Sequence, residues 1–286
     1  AMMTGSPLNL SRVRRTFRNA FRSAGSRLFG WRFVRDYLVL AWDSSRRWGA
    51  TGPGTLDIAG CRIEYFNRSD ALFLVHEIFV NATYFFSTPA KAPRIIDCGA
   101  NIGVATLFFK ALYPAASVTA VEPAPMTFER LKQNITRNRL RDVMLVNAAL
   151  AEREGSVAMQ DPHGEPGSLI ATTMGSSGGA RTVPAITLSS LLEQPADLVK
   201  LDIEGAEYEV VRELVGSGRI RHVRQMVLEF HDADTRAAEL SAMIAALGAA
   251  GMEVDRRDDP GGRAGTLRAR ATASVETDSD RAGRRE

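Results

Sequence analysis

The 286-residue sequence has only two cysteines, Cys61 and Cys98. That is too few for a disulfide framework or a four-thiolate zinc site. It has no apolar run near the ~18 to 20 residues that cross a bilayer, and the longest candidate, Tyr37 to Trp42, is far shorter. Lysine is scarce: Lys91, Lys110, Lys132 and Lys200 are the four among 36 basic residues. Acidic residues are missing from positions 1 to 35, which hold eight arginines. Against these absences, 45% of residues are apolar and 24% charged. That is ordinary globular composition, which excludes wholesale disorder, collagen and coiled coil. The length suits one large domain with appendages.

The basic N-terminal segment is amphipathic. Val13, Phe17, Ala20, Ala24 and Leu28 fall near helical spacing, with Arg12, Arg14, Arg15, Arg18 and Arg22 around them. All three tryptophans, Trp31, Trp42 and Trp48, lie in the first 50 residues. Three readings stay open: a helix docked on the protein body, a membrane-surface helix over residues 11–48 with arginines toward anionic lipid, or an organelle presequence. Gly49 to Gly54 marks the appendage boundary, so the expected division is an appendage over 1–50, a main domain over 51–272 and a disordered tail over 273–286.

Leu56 to Phe66 reads as a hairpin turning near Ala59-Gly60, and Ala71 to Phe86 as partly helical. From Arg94 strands and helices alternate. Strands are expected at 94–97, 118–121, 143–147, 198–202 and 223–230, helices at 102–112, 125–138, 206–215 and 233–247, and a closing hairpin from 252–255 and 266–270. This pattern implies a doubly wound α/β fold with a mostly parallel sheet. Met159 to Thr182 is Gly/Ser/Pro-rich and reads as a loop.

Four clusters carry chemistry. In Asp97-Cys98-Gly99-Ala100-Asn101-Ile102-Gly103 a buried strand enters a small-residue turn and then a helix. Gly99 allows a tight turn and Gly103 close helix–strand packing. The spacing approaches the dinucleotide fingerprint, but Asn101 replaces its middle glycine, where a side chain obstructs a pyrophosphate. Asp97 would repel phosphate and suits a cationic amino group. Glu122 ends the next strand, nineteen positions after Gly103, where a carboxylate accepts from ribose hydroxyls. Together they fit a nucleoside bearing an amino acid, which describes S-adenosylmethionine. By position alone, Ala148 in Asn147-Ala148-Ala149 would lie beside the adenine.

Asp202 closes the fourth strand, and Glu204 and Glu207 crowd the helix start that follows, with helix capping an alternative for Glu207. Glu229 and His231 share one face at the end of the fifth strand. His231 suits a general base, with helix capping again the alternative. Asp202, Glu204 and Glu229 offer hard oxygen ligands for magnesium, but spacing alone makes no metal site, and none is expected.

Asp-Cys-Gly-Ala-Asn-Ile-Gly, Val-Glu-Pro, Lys-Leu-Asp-Ile-Glu-Gly-Ala-Glu and Leu-Glu-Phe-His together resemble the FkbM family of S-adenosylmethionine-dependent methyltransferases, over roughly Leu72 to Val254. The resemblance implies a class I, Rossmann-like methyltransferase with a seven-stranded sheet whose last strand is antiparallel. It adds Pro123, and, from the upstream segment, Glu77 and Tyr84 to the cofactor-binding set of Asp97, Gly99, Asn101, Gly103, Glu122, Ala148 and Asp202. It also implies O-methylation of a hydroxyl on a sugar, glycolipid or natural product, so the expected partner is a small-molecule or carbohydrate acceptor. His231, Asp202 and Glu229 are the expected catalytic residues.

Three rivals remain. A nicotinamide-dependent oxidoreductase is opposed by Asn101 and by the Asp-Ile-Glu-Gly-Ala-Glu stretch. A nucleic-acid methyltransferase is opposed by the lack of an Asn/Asp-Pro-Pro-Tyr motif, and no nucleic-acid partner is expected. A non-enzymatic membrane-associated module would leave the cofactor constellation unexplained. The expected location is cytoplasmic, with peripheral membrane contact open, and oligomeric state is not readable.

Overall fold

The computed structural model describes residues 23–46, 52–159 and 181–272. Val13, Phe17 and Ala20 of the expected amphipathic helix, Trp48, the centre of the Gly/Ser/Pro-rich stretch and the tail lie outside them. The chain divides into two compact units between Phe85 and Phe86.

The first unit holds helix α1 (Ala24–Arg46), broken at Gly30, the strands β1 (Gly54–Ile58) and β2 (Cys61–Tyr65), and helix α2 (Arg68–Val75), continued by a π-helical turn at His76–Val80. Ala59 and Gly60 both take positive φ, the turn geometry that suits strand twist in a two-residue hairpin. Asn67 caps α2 by accepting from the Ser69 N–H. Phe33 and Val34 of α1 are buried, and Phe29 meets the Phe79 ring at 5.7 Å.

In the second unit, β3 (Arg94–Cys98), α3 (Val104–Leu112), β4 (Ser117–Val121), α4 (Pro125–Arg137) and β5 (Val143–Val146) alternate, followed later by β9 (Leu198–Leu201), α5 (Glu207–Gly216), β10 (Gln225–Phe230), α6 (Ala237–Ala249), β11 (Met252–Asp258) and β12 (Gly265–Ala271). The seven-stranded sheet has the order β11-β12-β10-β9-β3-β4-β5. β5, β4, β3, β9 and β10 run parallel, while β12 pairs antiparallel with both β10 and β11. The central strands β3 and β9 are largely buried and mostly aliphatic, as strands covered on both faces are, apart from the buried charges Asp97 and Lys200. The chain winds outward from β3 to β5, then returns to β9 beside β3. The carboxyl ends of β3 and β9 therefore flank a topological switch point, where open α/β sheets bind ligands.

A second, three-stranded sheet has the order β6 (Ala149–Leu150), β8 (Arg181–Ile186), β7 (Gly155–Met159). The sequence reading expected a loop from Met159 to Thr182, and its two ends turn out to be strand. Pro184 inside β8 hid the strand, since proline argues against a ladder position; it pairs with Ser156 all the same.

Candidate active site

The β3–α3 turn is closed on itself. Gly99 and Ala100 both donate N–H to the Val121 carbonyl, Asn101 N–H donates to Glu122 Oε2 at 3.0 Å, Ile102 N–H to Asn101 Oδ1 at 2.7 Å and Gly103 N–H to the Ala100 carbonyl. Every backbone donor from 99 to 103 thus has an acceptor, either within the turn or at Val121 and Glu122 at the end of β4. A pyrophosphate needs those donors free, so the turn opposes a dinucleotide. Glycine at 99 answers a different demand: φ is +75°, and a Cβ there would lie 1.7 Å from the Asp202 carbonyl oxygen. The turn therefore presses on the end of β9. At Gly103 (φ +92°) a Cβ would meet Leu131 Cδ1 at 2.7 Å, which fixes the close approach of α3 and α4.

Glu122 follows β4 and is nearly buried. Its second oxygen accepts from Ala124 N–H at 2.9 Å. Burial, against those two backbone donors, pushes its carboxyl up to about 7. Asn147 donates to the Glu122 and Pro123 carbonyls at 2.8 and 3.1 Å, tying the ends of β4 and β5 together, and Ala148 beside it is buried.

Asp97 differs from expectation. Its carboxylate is fully buried, accepts from Thr106 Oγ1 at 2.6 Å and pairs with Lys200 Nζ at 3.5 Å. It lies within the fold rather than on a ligand-facing surface, so its direct effect is on the turn. Asp97 Oδ1 has no hydrogen-bond donor.

Lys200 was missed as a site residue. It lies on β9, almost wholly buried, and donates to the Gly99 carbonyl at 2.6 Å and the Cys98 carbonyl at 3.2 Å. Its Nζ also lies 3.4 Å from Asp202 Oδ2. Burial alone would lower its pKa, but Asp202, Asp97 and Glu229 hold it above the ordinary lysine value. A lysine inside Leu-Val-Lys-Leu was the available signal, because a charge in a strand buried on both faces requires partners.

Beyond β9 the chain swings through Glu204 (φ +57°) and Gly205 (φ +111°). Strained backbone of this kind concentrates at functional sites. Glu207 is fully buried, accepts from the Gly205 N–H and receives His231 Nδ1 at 3.0 Å. His231 Nε2 lies 3.5 Å from Glu204 Oε2. Ligand atoms of Asp202, Glu229 and His231 lie within 4.8 Å of one another, as the shared face of Glu229 and His231 required.

These contacts bear on the expected base. Burial would lower the His231 pKa, but the hydrogen bond and charge of Glu207, with Glu204 and Asp202, push it up to about 10. A pKa raised this way favours the imidazolium, whose ring has no lone pair for a proton. Burial and the Asp202 charge push Glu204 up to about 8. Glu77 and Tyr84 belong to the first unit: Glu77 accepts from Asn81 Nδ2 at 2.9 Å and Tyr84 is buried.

Five carboxylates (Asp97, Asp202, Glu204, Glu207, Glu229) thus share two cationic side chains, Lys200 and His231. The anionic excess fits a cofactor carrying an ammonium and a sulfonium, and the self-satisfied turn fits one without phosphate.

Residues 97–254 match the methyltransferase FkbM domain. Methyltransferase sdnD of Sordaria araneosa is 27% identical over 219 residues, which are 64% of this chain and 84% of that protein. The 31-O-demethyl-FK506 methyltransferase FkbM of Streptomyces tacrolimicus is 26% identical over 220 residues, 65% and 84% of the two chains. The hexuronic acid methyltransferase AglP of Haloferax volcanii is 29% identical over 141 residues, 47% and 54% of the two chains. The domain match takes in more than half of the sequence and every motif around the switch point, so the chain belongs to the FkbM family of methyltransferases and uses S-adenosylmethionine.

Proposed function

We propose that the protein methylates a hydroxyl oxygen on a sugar, glycolipid or natural-product acceptor. The observation that carries this reading is the carboxylate–imidazolium cluster of Asp202, Glu204, Glu207, Glu229 and His231 at the rim beside the cofactor turn. Two relatives bear names consistent with it, one a 31-O-demethyl-FK506 methyltransferase and the other a hexuronic acid methyltransferase.

When bound, S-adenosylmethionine supplies an electrophilic methyl group on sulfur. Glu122 holds the ribose hydroxyls, the Gly99–Gly103 turn lets the nucleoside approach, and Ala148 and Pro123 flank the base. Asp202 faces the cationic amino-acid end. Asp97 acts behind the turn through Lys200. Glu77 and Tyr84 join the cofactor set on the resemblance alone.

An alcohol is a poor nucleophile and must lose its proton as the new bond forms, a service worth about 10²- to 10⁴-fold. Glu204 takes that proton, since a carboxyl pushed up to about 8 is half-ionised near working pH. His231 keeps its own proton and holds Glu204 and Glu207 in place. Glu229 and Asp202 complete the acceptor's hydrogen-bonding wall. On this assignment the rate rises with pH through about 8, whereas a His231 base would move the rise to about 10.

The test is methyl transfer from isotopically labelled cofactor to hydroxylated acceptors, including hexuronic acids and macrolides, followed by alkaline treatment. A methyl ether survives alkali. Label released as methanol would identify a carboxylate acceptor, and label on nitrogen would also sink the hydroxyl reading.

A further inference from the structure

After Gly30 breaks its axis, α1 presents an outward stripe of Trp31, Arg35, Val39 and Trp42. Their spacing of four, four and three residues keeps them on one helical face. Trp31 is 67% exposed, Val39 62% and Trp42 52%. The opposite face, with Phe33, Val34 and Leu40, is buried. The unit therefore has one buried face on this helix and one largely exposed face. Single exposed apolar residues need no explanation, but a contiguous stripe with two tryptophans marks an interaction surface.

We infer that this face docks on an anionic membrane surface. Indole has an apolar body and a polar N–H, and settles at the boundary between headgroups and acyl chains. Charge selects the sign of the lipid. All eight arginines of residues 1–35 come before the first acidic residue, whereas the rest of the chain carries more acid than base. Arg35 stands within the stripe, 61% exposed and paired with Asp36. Arginines close to a membrane surface are attracted to anionic headgroups at about 1 kcal/mol each, and Arg12, Arg14, Arg15, Arg18 and Arg22 of the N-terminal segment precede the stripe in the sequence. A second copy of this chain fits less well, because a symmetric contact would bring two arginine-rich segments together. The contact is superficial: among the described residues no helix is long and apolar enough to cross a membrane. The inference does not depend on the acceptor proposed above.

The full chain should co-sediment with phosphatidylcholine vesicles that contain phosphatidylglycerol, and not with phosphatidylcholine alone. Because every tryptophan of the chain lies at 31, 42 or 48, intrinsic emission reads the event directly and should shift to the blue on binding. Added salt should weaken the association. The double variant Trp31→Ser/Trp42→Ser should bind about tenfold more weakly or worse, while its S-adenosylmethionine affinity, measured by calorimetry, stays at the wild-type value and reports an intact fold. Three results would overturn the inference: no binding to anionic vesicles, equal binding to neutral ones, or wild-type vesicle affinity in the double variant. So would a lipid-free dimer that the double variant dissolves, since the stripe would then belong to a second copy.

Discussion

At the ends of β3 and β4 the fold offers a ligand its backbone, two left-handed glycines and one carboxylate, Glu122, that accepts from backbone N–H groups. At the ends of β9 and β10 it uses side chains: Asp202, Glu204, Glu207, Glu229 and His231, on a backbone bent through Glu204. The first rim has little to titrate and little room to adapt, which suits one invariant nucleoside. The second is dense with exchangeable protons, which suits chemistry on an acceptor. Lys200 joins them, with its ammonium on the Gly99 and Cys98 carbonyls on one side and beside Asp202 on the other.

If the two rims depend on Lys200, its loss should be the most damaging change. Lys200→Met leaves Asp97, fully buried, without its cation. Breaking a buried pair in this way costs about 3–5 kcal/mol, read as a lower denaturation midpoint together with lost cofactor binding. Retained cofactor affinity would mean the rims are independent. The next effect should be confined to the second rim. His231→Ala should lower kcat near neutral pH by about tenfold for each unit that Glu204's pKa rises, with cofactor affinity intact. It removes the cation that lowers Glu204's pKa, so Glu204 keeps its proton to higher pH. The deficit should therefore shrink as pH rises, and a deficit that grows with pH would return the base role to His231.

The two rims also differed in how far they could be read from sequence. The alternation of apolar strands and helices from Arg94 carried the mostly parallel sheet and the resemblance its seven strands, while strand-end positions put Glu122, Asp202 and His231 on one edge of it. The β6–β8–β7 sheet stayed hidden behind short strands and Pro184. Lys200 was overlooked because its motif was read for its acids, although a lysine between buried aliphatic residues is the anomaly in that strand. The protonation of His231 was not legible at all. It depends on Glu207 and Glu204 reaching the two ring nitrogens, and strand periodicity fixes the side of the sheet, not the distance to a loop.

Glu122→Ala should isolate the first rim. A hydrogen bond to a charged group is worth about 1.5–3 kcal/mol, so cofactor affinity should fall about 10- to 100-fold, with kcat at saturating cofactor near wild type. A fall in kcat instead would show that the nucleoside rim also sets the geometry of transfer.

The smallest effect separates the rims by pH without touching the reaction. Buried Glu122 and Glu204 are pushed up from the ordinary 4.5 to about 7 and about 8. Between the unfolded and folded values the native protein holds protons that the unfolded chain has released, so stability falls as pH rises. His231, raised from 6.5 to about 10, acts with the same sign: its contribution is complete below 6.5 and is lost as pH climbs through 10. The cofactor-free protein should therefore melt a few degrees lower at pH 8 than at pH 5. Glu122→Ala should flatten the slope below about pH 7 and leave the part above it, which belongs to the second rim. A melting temperature that rises across this range would mean that the carboxylates of both rims are ionised in the folded protein, and would remove Glu204 as a base poised near neutrality.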